Sequence, residues 1–150
     1  MGLTLLTLMA SNVNIALAEV LPSEGKKAGT FKVISGSVTA SRNNILHNVK
    51  TGDSVFIGDL IITAASSFAG MTLYDNTRLT SGPNSRVVID AFSFNTTTHK
   101  GELSASLDKG SLAVISGQLA KASPEKVVFN TRTMTVGVRG TEFIIEAYGE

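Results

Sequence analysis

The sequence predicts an all-β fold, a single domain of about a dozen short strands. Three observations carry that reading. From Thr30 onward apolar residues recur with a period of two. Turn signals rich in Gly, Asn and Asp recur at strand-sized spacing. Helical patterning is confined to Gly117–Ala122, where Pro124 ends it after one or two turns. A parallel α/β sheet needs crossover helices, so the expected arrangement is a two-layer sandwich or jelly roll, or a short β-solenoid.

Taken in chain order, Phe31–Ile34 is the first apolar run, and Leu60–Thr63 is the next. Ala69, Met71 and Leu73 then alternate with polar or small neighbours. They lead into Tyr74-Asp75-Asn76, where Asp and Asn tolerate left-handed backbone and bond their own main chain, which suits a reversal into Arg78-Leu79. Arg86–Phe94 and Val127–Thr131 are further runs. Leu103, Ala105 and Leu107 alternate with Ser104, Ser106 and Asp108, one face apolar and the other wet. Met134, Val136 and Val138 alternate with Thr133, Thr135 and Gly137. Phe143, Ile145 and Ala147 alternate with Glu142 and Glu146. Ser35-Gly36, Thr51-Gly52-Asp53, Gly58-Asp59, Ser81-Gly82-Pro83-Asn84, Lys100-Gly101 and Lys109-Gly110 separate the runs.

Residues 1–18 carry no charged side chain, and Ala16 and Ala18 form the small-x-small pattern read by a signal peptidase. The expectation is an export leader over 1–18, with Glu19 as the new amino terminus. No Lys or Arg precedes the apolar run Leu3–Ala10, so this reading places the start of the leader upstream of Met1. Residues 19–29 read as an exposed linker, and 30–148 as the β domain. No other apolar stretch approaches the roughly 20 residues a membrane helix needs, so no stable span is expected.

Composition narrows the function. The 150 residues are 43% hydrophobic, a globular share, and 17% charged, with a formal net charge of +1. That balance leaves no electrostatic footprint for nucleic acid. The absence of cysteine removes thiol nucleophiles, thiolate metal sites and disulfides. His47 and His99 are the two histidines, and both read as solvated loop residues in polar surroundings. Asp53 and Asp59 each follow a glycine and read as turn residues bonding nearby amides, not as a catalytic pair. No alternating-oxygen calcium loop occurs. No metal, cofactor or catalytic residue is therefore expected. Phe92 and Phe94 share a strand face, with Asp90 preceding them on it, and read as core or else as an exposed apolar strip that docks a partner.

The stretch Val136–Phe143 holds two glycines, Gly137 and Gly140, inside an otherwise convincing strand pair. Glycine there is tolerable where the chain bulges, bends or lets another backbone approach. Arg139 lies between them. If a bulge turned it inward it would need a carboxylate, with Asp75, Glu142 and Asp90 as candidates. Arg139 reads either as a lock on that bulge or as a contact for a partner.

Three blocks resemble the FecR-type domain. They are Lys50-Thr51-Gly52-Asp53 with Gly58–Thr63; Met71–Leu79 with Gly82-Pro83-Asn84-Ser85; and Asn130-Thr131 through Gly137-Val138-Arg139-Gly140-Thr141-Glu142-Phe143. Together they run from about Phe31 to Ala147. Asn76 stands where that family usually has Gly, and Arg132 where Pro is common. The resemblance implies an all-β extracytoplasmic sensor module. The cytoplasmic sigma-factor-binding part and the membrane helix of the family's regulators are expected to be missing here. It further implies a non-enzymatic, periplasmic or secreted bacterial protein that binds a cell-envelope protein. Asp53, Asp59, Asp75, Gly137, Arg139, Gly140, Thr141 and Phe143 are its partner-binding or architectural residues. The alternatives are binding of an envelope glycan or small ligand, and a structural subunit of an envelope assembly. No residue pattern sets an oligomeric state.

Overall fold

The computed structural model describes residues 25–138 and 141–148. It is all-β. In chain order the strands are β1 (Lys27–Ser35), β2 (Val38–Arg42), β3 (Ile45–Asn48), β4 (Ser54–Phe56), β5 (Leu60–Thr63) and β6 (Phe68–Leu73). They continue with β7 (Arg78–Ser81), β8 (Arg86–Phe94), β9 (Gly101–Ile115), β10 (Val127–Asn130), β11 (Thr135–Gly137) and β12 (Glu142–Ala147). One short helix, α1 (Gln118–Ala122), and a 3-10 turn at Pro124–Lys126 connect β9 to β10.

The 12 strands form one curled sheet, with β3-β2-β5-β8-β9-β7-β6-β1-β4 as its main path. The 15-residue strand β9 is its spine. Its first half lies between antiparallel β8 and parallel β10. Its second half lies between β7 and β12, both antiparallel. A single buried cluster fills the curl, including Phe31, Ile61, Met71, Ile89, Leu107 and Phe129. Each such side chain contributes about 1.5–3 kcal/mol by leaving water.

Two bulges keep the long strands facing this core. In β9, Leu103, Ala105 and Leu107 are buried, and then Leu112 and Val114. The inward phase flips between those sets because Arg86 pairs Lys109 while Val87 pairs Leu107, leaving Asp108 as an extra residue. Gly110 follows at φ +95, where a Cβ would collide with Ser85. In β8, Ile89 pairs Ala105 and Ala91 pairs Ser104, so Asp90 is the extra residue. That bulge corrects a sequence expectation. Asp90 does not share a face with the buried Phe92: it is exposed, and it accepts a hydrogen bond from the Ser106 hydroxyl.

The reversal at Tyr74-Asp75-Asn76 forms as the β6–β7 hairpin, with Asn76 at φ +68. The body begins earlier than expected. Lys27, Ala28 and Gly29, read as linker, are the start of β1, and Ala28 is fully buried against the core. The leader over 1–18 and the linker up to residue 24 lie outside the described residues. His47, expected in a polar turn, is on β3. All four residues of that end strand are exposed, so it shows no inside–outside alternation. No helix among the described residues is long and apolar enough to cross a membrane.

Candidate functional site

Buried Asp59, Asp75, Thr63 and Ser85 are occupied in holding the fold. Asp59 accepts hydrogen bonds from Arg42 Nε at 2.8 Å and Arg42 Nη2 at 2.5 Å, and both side chains are mostly buried. The Arg42 guanidinium also stacks on the Phe56 ring, 3.7 Å from its centroid. The expectation for Asp59 as a turn residue is thereby corrected: its carboxylate closes an ion pair between β2 and the start of β5. Asp53 does behave as a turn residue, with Oδ2 accepting from the Lys50 N–H at 2.9 Å.

Asp75 is fully buried. Its Oδ1 accepts from the Thr77 N–H, and its Oδ2 accepts from the Thr77 hydroxyl and the Leu119 N–H at 3.2 Å. Its main-chain carbonyl accepts from the Gln118 N–H. A Cβ at Gly117 would run into the Asp75–Thr77 backbone, so glycine there lets α1 sit directly on the β6–β7 turn. The Gly82–Ser85 block is similarly structural. Thr63 Oγ1 donates to the Gly82 carbonyl and accepts from the Ser85 N–H, while Ser85 Oγ accepts from the Ser111 N–H. Polar groups that bridge β5, β7, β8 and β9 in this way are not available to a substrate.

The closing stretch is different. Thr141 is exposed, and its carbonyl accepts from the Ser116 N–H at 2.8 Å. Phe143 is half-buried and meets Phe129 edge-on, with centroids 5.5 Å apart. Gly137 is exposed and a Cβ on it would touch nothing, so neither a close approach nor left-handed backbone requires glycine there, contrary to expectation. Arg139 and Gly140, and with them the choice of a carboxylate for Arg139, lie outside the described residues. Thus Asp53, Asp59 and Asp75 occupy three separate structural joints, and Thr141 and Phe143 sit on the β12 strand and its approach.

Between β11 and β12 runs a groove of about 320 Å³, lined by Met134, Val136, Gly137, Phe143, Ile144 and Ile145. Ile144 is 69% exposed and Met134 54%. Among the described residues, strand β12 pairs only with β9 and β11 only with β10, so there each presents an outer edge. Sequence reasoning did not mark Ile144 or Met134 as surface residues. The signal was present in Phe143-Ile144-Ile145, since three apolar residues in a row cannot all face one side of a strand.

Neither histidine meets an acid and a hydroxyl in a cleft. His99 stacks on Phe94 in an exposed loop, centroids 5.9 Å apart, and His47 is exposed on β3. Among the described residues no group of three or more His, Cys, Asp or Glu converges on a possible metal position.

The described residues thus form a curled all-β sheet whose buried acids hold its joints and whose β11–β12 groove is apolar. The profile of the FecR protein family matches residues 59–150, and the chain belongs to that family. The family is one of regulatory, sensor-like modules that stand in the periplasm. The match takes in the central and closing blocks and begins at Asp59, so Lys50–Asp53 falls outside it. No curated protein and no solved structure matches the chain.

Proposed function

We propose that the chain is a non-enzymatic extracytoplasmic recognition module that binds a cell-envelope protein by accepting one of its strands along β12. The carrying observation is the β12 edge. Among the described residues its backbone pairs on one side only, and apolar Ile144 and Met134 lie exposed beside it. An unpaired strand edge offers main-chain donors and acceptors to an incoming strand, and a flanking apolar groove selects its side chains. Natural proteins usually blunt such an edge with lysine or proline. Here β12 carries neither, and its charged residues are the exposed Glu142 and Glu146. Membership of a sensor-like family and the uncharged, apolar start of the sequence, which reads as an export leader, support an envelope location.

Site-specific photocrosslinking in intact cells tests this reading. A crosslinker at position 144 is expected to capture one envelope protein, and one at Leu46 on the end strand β3 to capture none of it. With the crosslinker moved to Met134 in the same groove, Ile144→Asp should abolish capture while leaving the melting temperature within a few degrees. Equal capture from both positions, or capture that survives Ile144→Asp, counts against the proposal.

A further inference from the structure

A second groove shares no residue with the β12 edge. It lies where the start of β1, the β6–β7 turn and the end of β8 meet, has a volume of about 410 Å³, and is lined by Lys26, Lys27, Tyr74, Phe92, Phe94 and Lys100. Ser93 and Asn95 complete its wall. We propose that this groove binds an acidic saccharide, with carboxylates held by the lysines and a sugar ring stacked on Tyr74.

Charge is the first argument. Three lysines line the groove in a protein whose formal net charge is only +1, and none of them has an ion-pair partner among the described residues. Lys27 instead lies over the Phe56 ring, 6.0 Å from its centroid. Gathering like charges without counter-charges has an electrostatic cost, and a bound anion removes it. The apolar surface is the second argument. Tyr74 is 54% exposed and tilted against Phe92, with centroids 6.5 Å apart. Phe94 stacks with His99, with centroids 5.9 Å apart. Ring faces of this kind take the C–H face of a sugar, and the volume falls within the range of small-ligand pockets, roughly 300–1,000 Å³.

Polar detail agrees. Asn95 Oδ1 already accepts from the Thr97 and Thr98 N–H groups, which fixes the amide orientation. Asn95, Ser93 and Tyr74 add amide and hydroxyl chemistry to the groove's lining. A saccharide uses such scattered donors, whereas an extended acidic peptide would rely mainly on a continuous main-chain ladder. The acidic peptide is therefore the competing outcome in the test.

Isothermal titration of the full chain with trigalacturonic acid, its methyl ester and poly-L-glutamate decides the matter. The acid should bind, more weakly as salt is raised, and the ester about tenfold or more weaker, as expected when charge-assisted hydrogen bonds are lost. Lys100→Gln and Tyr74→Ala should each weaken the acid by about tenfold with unchanged circular dichroism melts, because both side chains are exposed. Leu46→Ser should bind as the parent does. The proposal is overturned by no binding of the acid, by equal binding of the ester, by poly-L-glutamate binding as tightly as the uronate, or by an unaffected Lys100→Gln variant.

Discussion

Arg42 grips Asp59 through two hydrogen bonds of 2.8 and 2.5 Å while its guanidinium face covers the Phe56 ring. The pair ties β2 to the loop that opens β5, and the ring shields it from water. Arginine suits this position because its planar fork can bond a carboxylate and stack at the same time.

Removing one partner strands the other charge in a nearly dry site. Asp59→Ala is expected to lower stability by about 3 kcal/mol, and Arg42→Lys, which loses both the fork and the stack, by somewhat less. The double variant Arg42→Met with Asp59→Leu should recover part of the loss. Urea unfolding followed by circular dichroism checks all three. A double variant no better than Asp59→Ala would show that charge burial is not the main cost.

Asp75 is a second joint with a sharper chemical signature. Asp75→Ala leaves the Thr77 and Leu119 N–H groups buried without acceptors, at about 2–3 kcal/mol. Asp75→Asn keeps one acceptor but points an amide donor at groups that themselves donate, so an intermediate loss is expected. Hydrogen exchange at the Leu119 amide should rise in both variants and most in the alanine.

Two glycines should respond oppositely to alanine. Gly110→Ala must accommodate φ +95 and a clash with Ser85, and is expected to destabilise by at least about 1 kcal/mol. Gly137→Ala meets open space on an ordinary strand backbone and should gain about 0.5 kcal/mol. Differential scanning calorimetry of the two variants reads the contrast directly.

Ser81 is fully buried and its hydroxyl has no hydrogen-bond partner among the described residues. Ser81→Ala is therefore expected to be neutral or stabilising, since it removes a desolvated polar group with little change of volume. A clear drop in melting temperature would show that the hydroxyl is satisfied by water in solution.

Asp108 carries the pH response that has a stated cause. The hydrogen bond from Arg132 holds its carboxyl below the usual carboxylate range, and the nearby charges of Arg132 and Arg86 act in the same direction. A depressed folded-state value means the stabilisation is present above the unfolded value of about 3.9 and is lost as pH falls through the lower folded value. The site is exposed, so the effect is small and screened by salt. Asp108→Asn should flatten the acid side of a melting-temperature profile, chiefly at low ionic strength.

Much of the sheet was legible from alternation. Leu60–Thr63 and Arg86–Phe94 form strands over those residues, and Asp75-Asn76 makes the expected turn. What escaped was non-local. Strand β3 is wet on both faces, so no period marks it. Bulges at Asp90 and Asp108 are set by the register of partners across the sheet, which no local pattern records. The Arg42–Asp59 bond joins residues 17 apart in sequence, and neither position alone advertises the other. At the candidate site, Phe143 was legible as a strand residue, and the exposure of Ile144 follows from its place between Phe143 and Ile145 on the opposite face.

Strand β9 gives hydrogen bonds to both wings of the curl through one uninterrupted backbone. Neither wing can open alone without stripping bonds from the strand that also supports the other. Unfolding should then be cooperative across the whole domain, with no half surviving as a partly folded species. Circular permutation should accordingly succeed at the Asn43-Asn44 turn and fail when new termini are cut between Lys109 and Gly110.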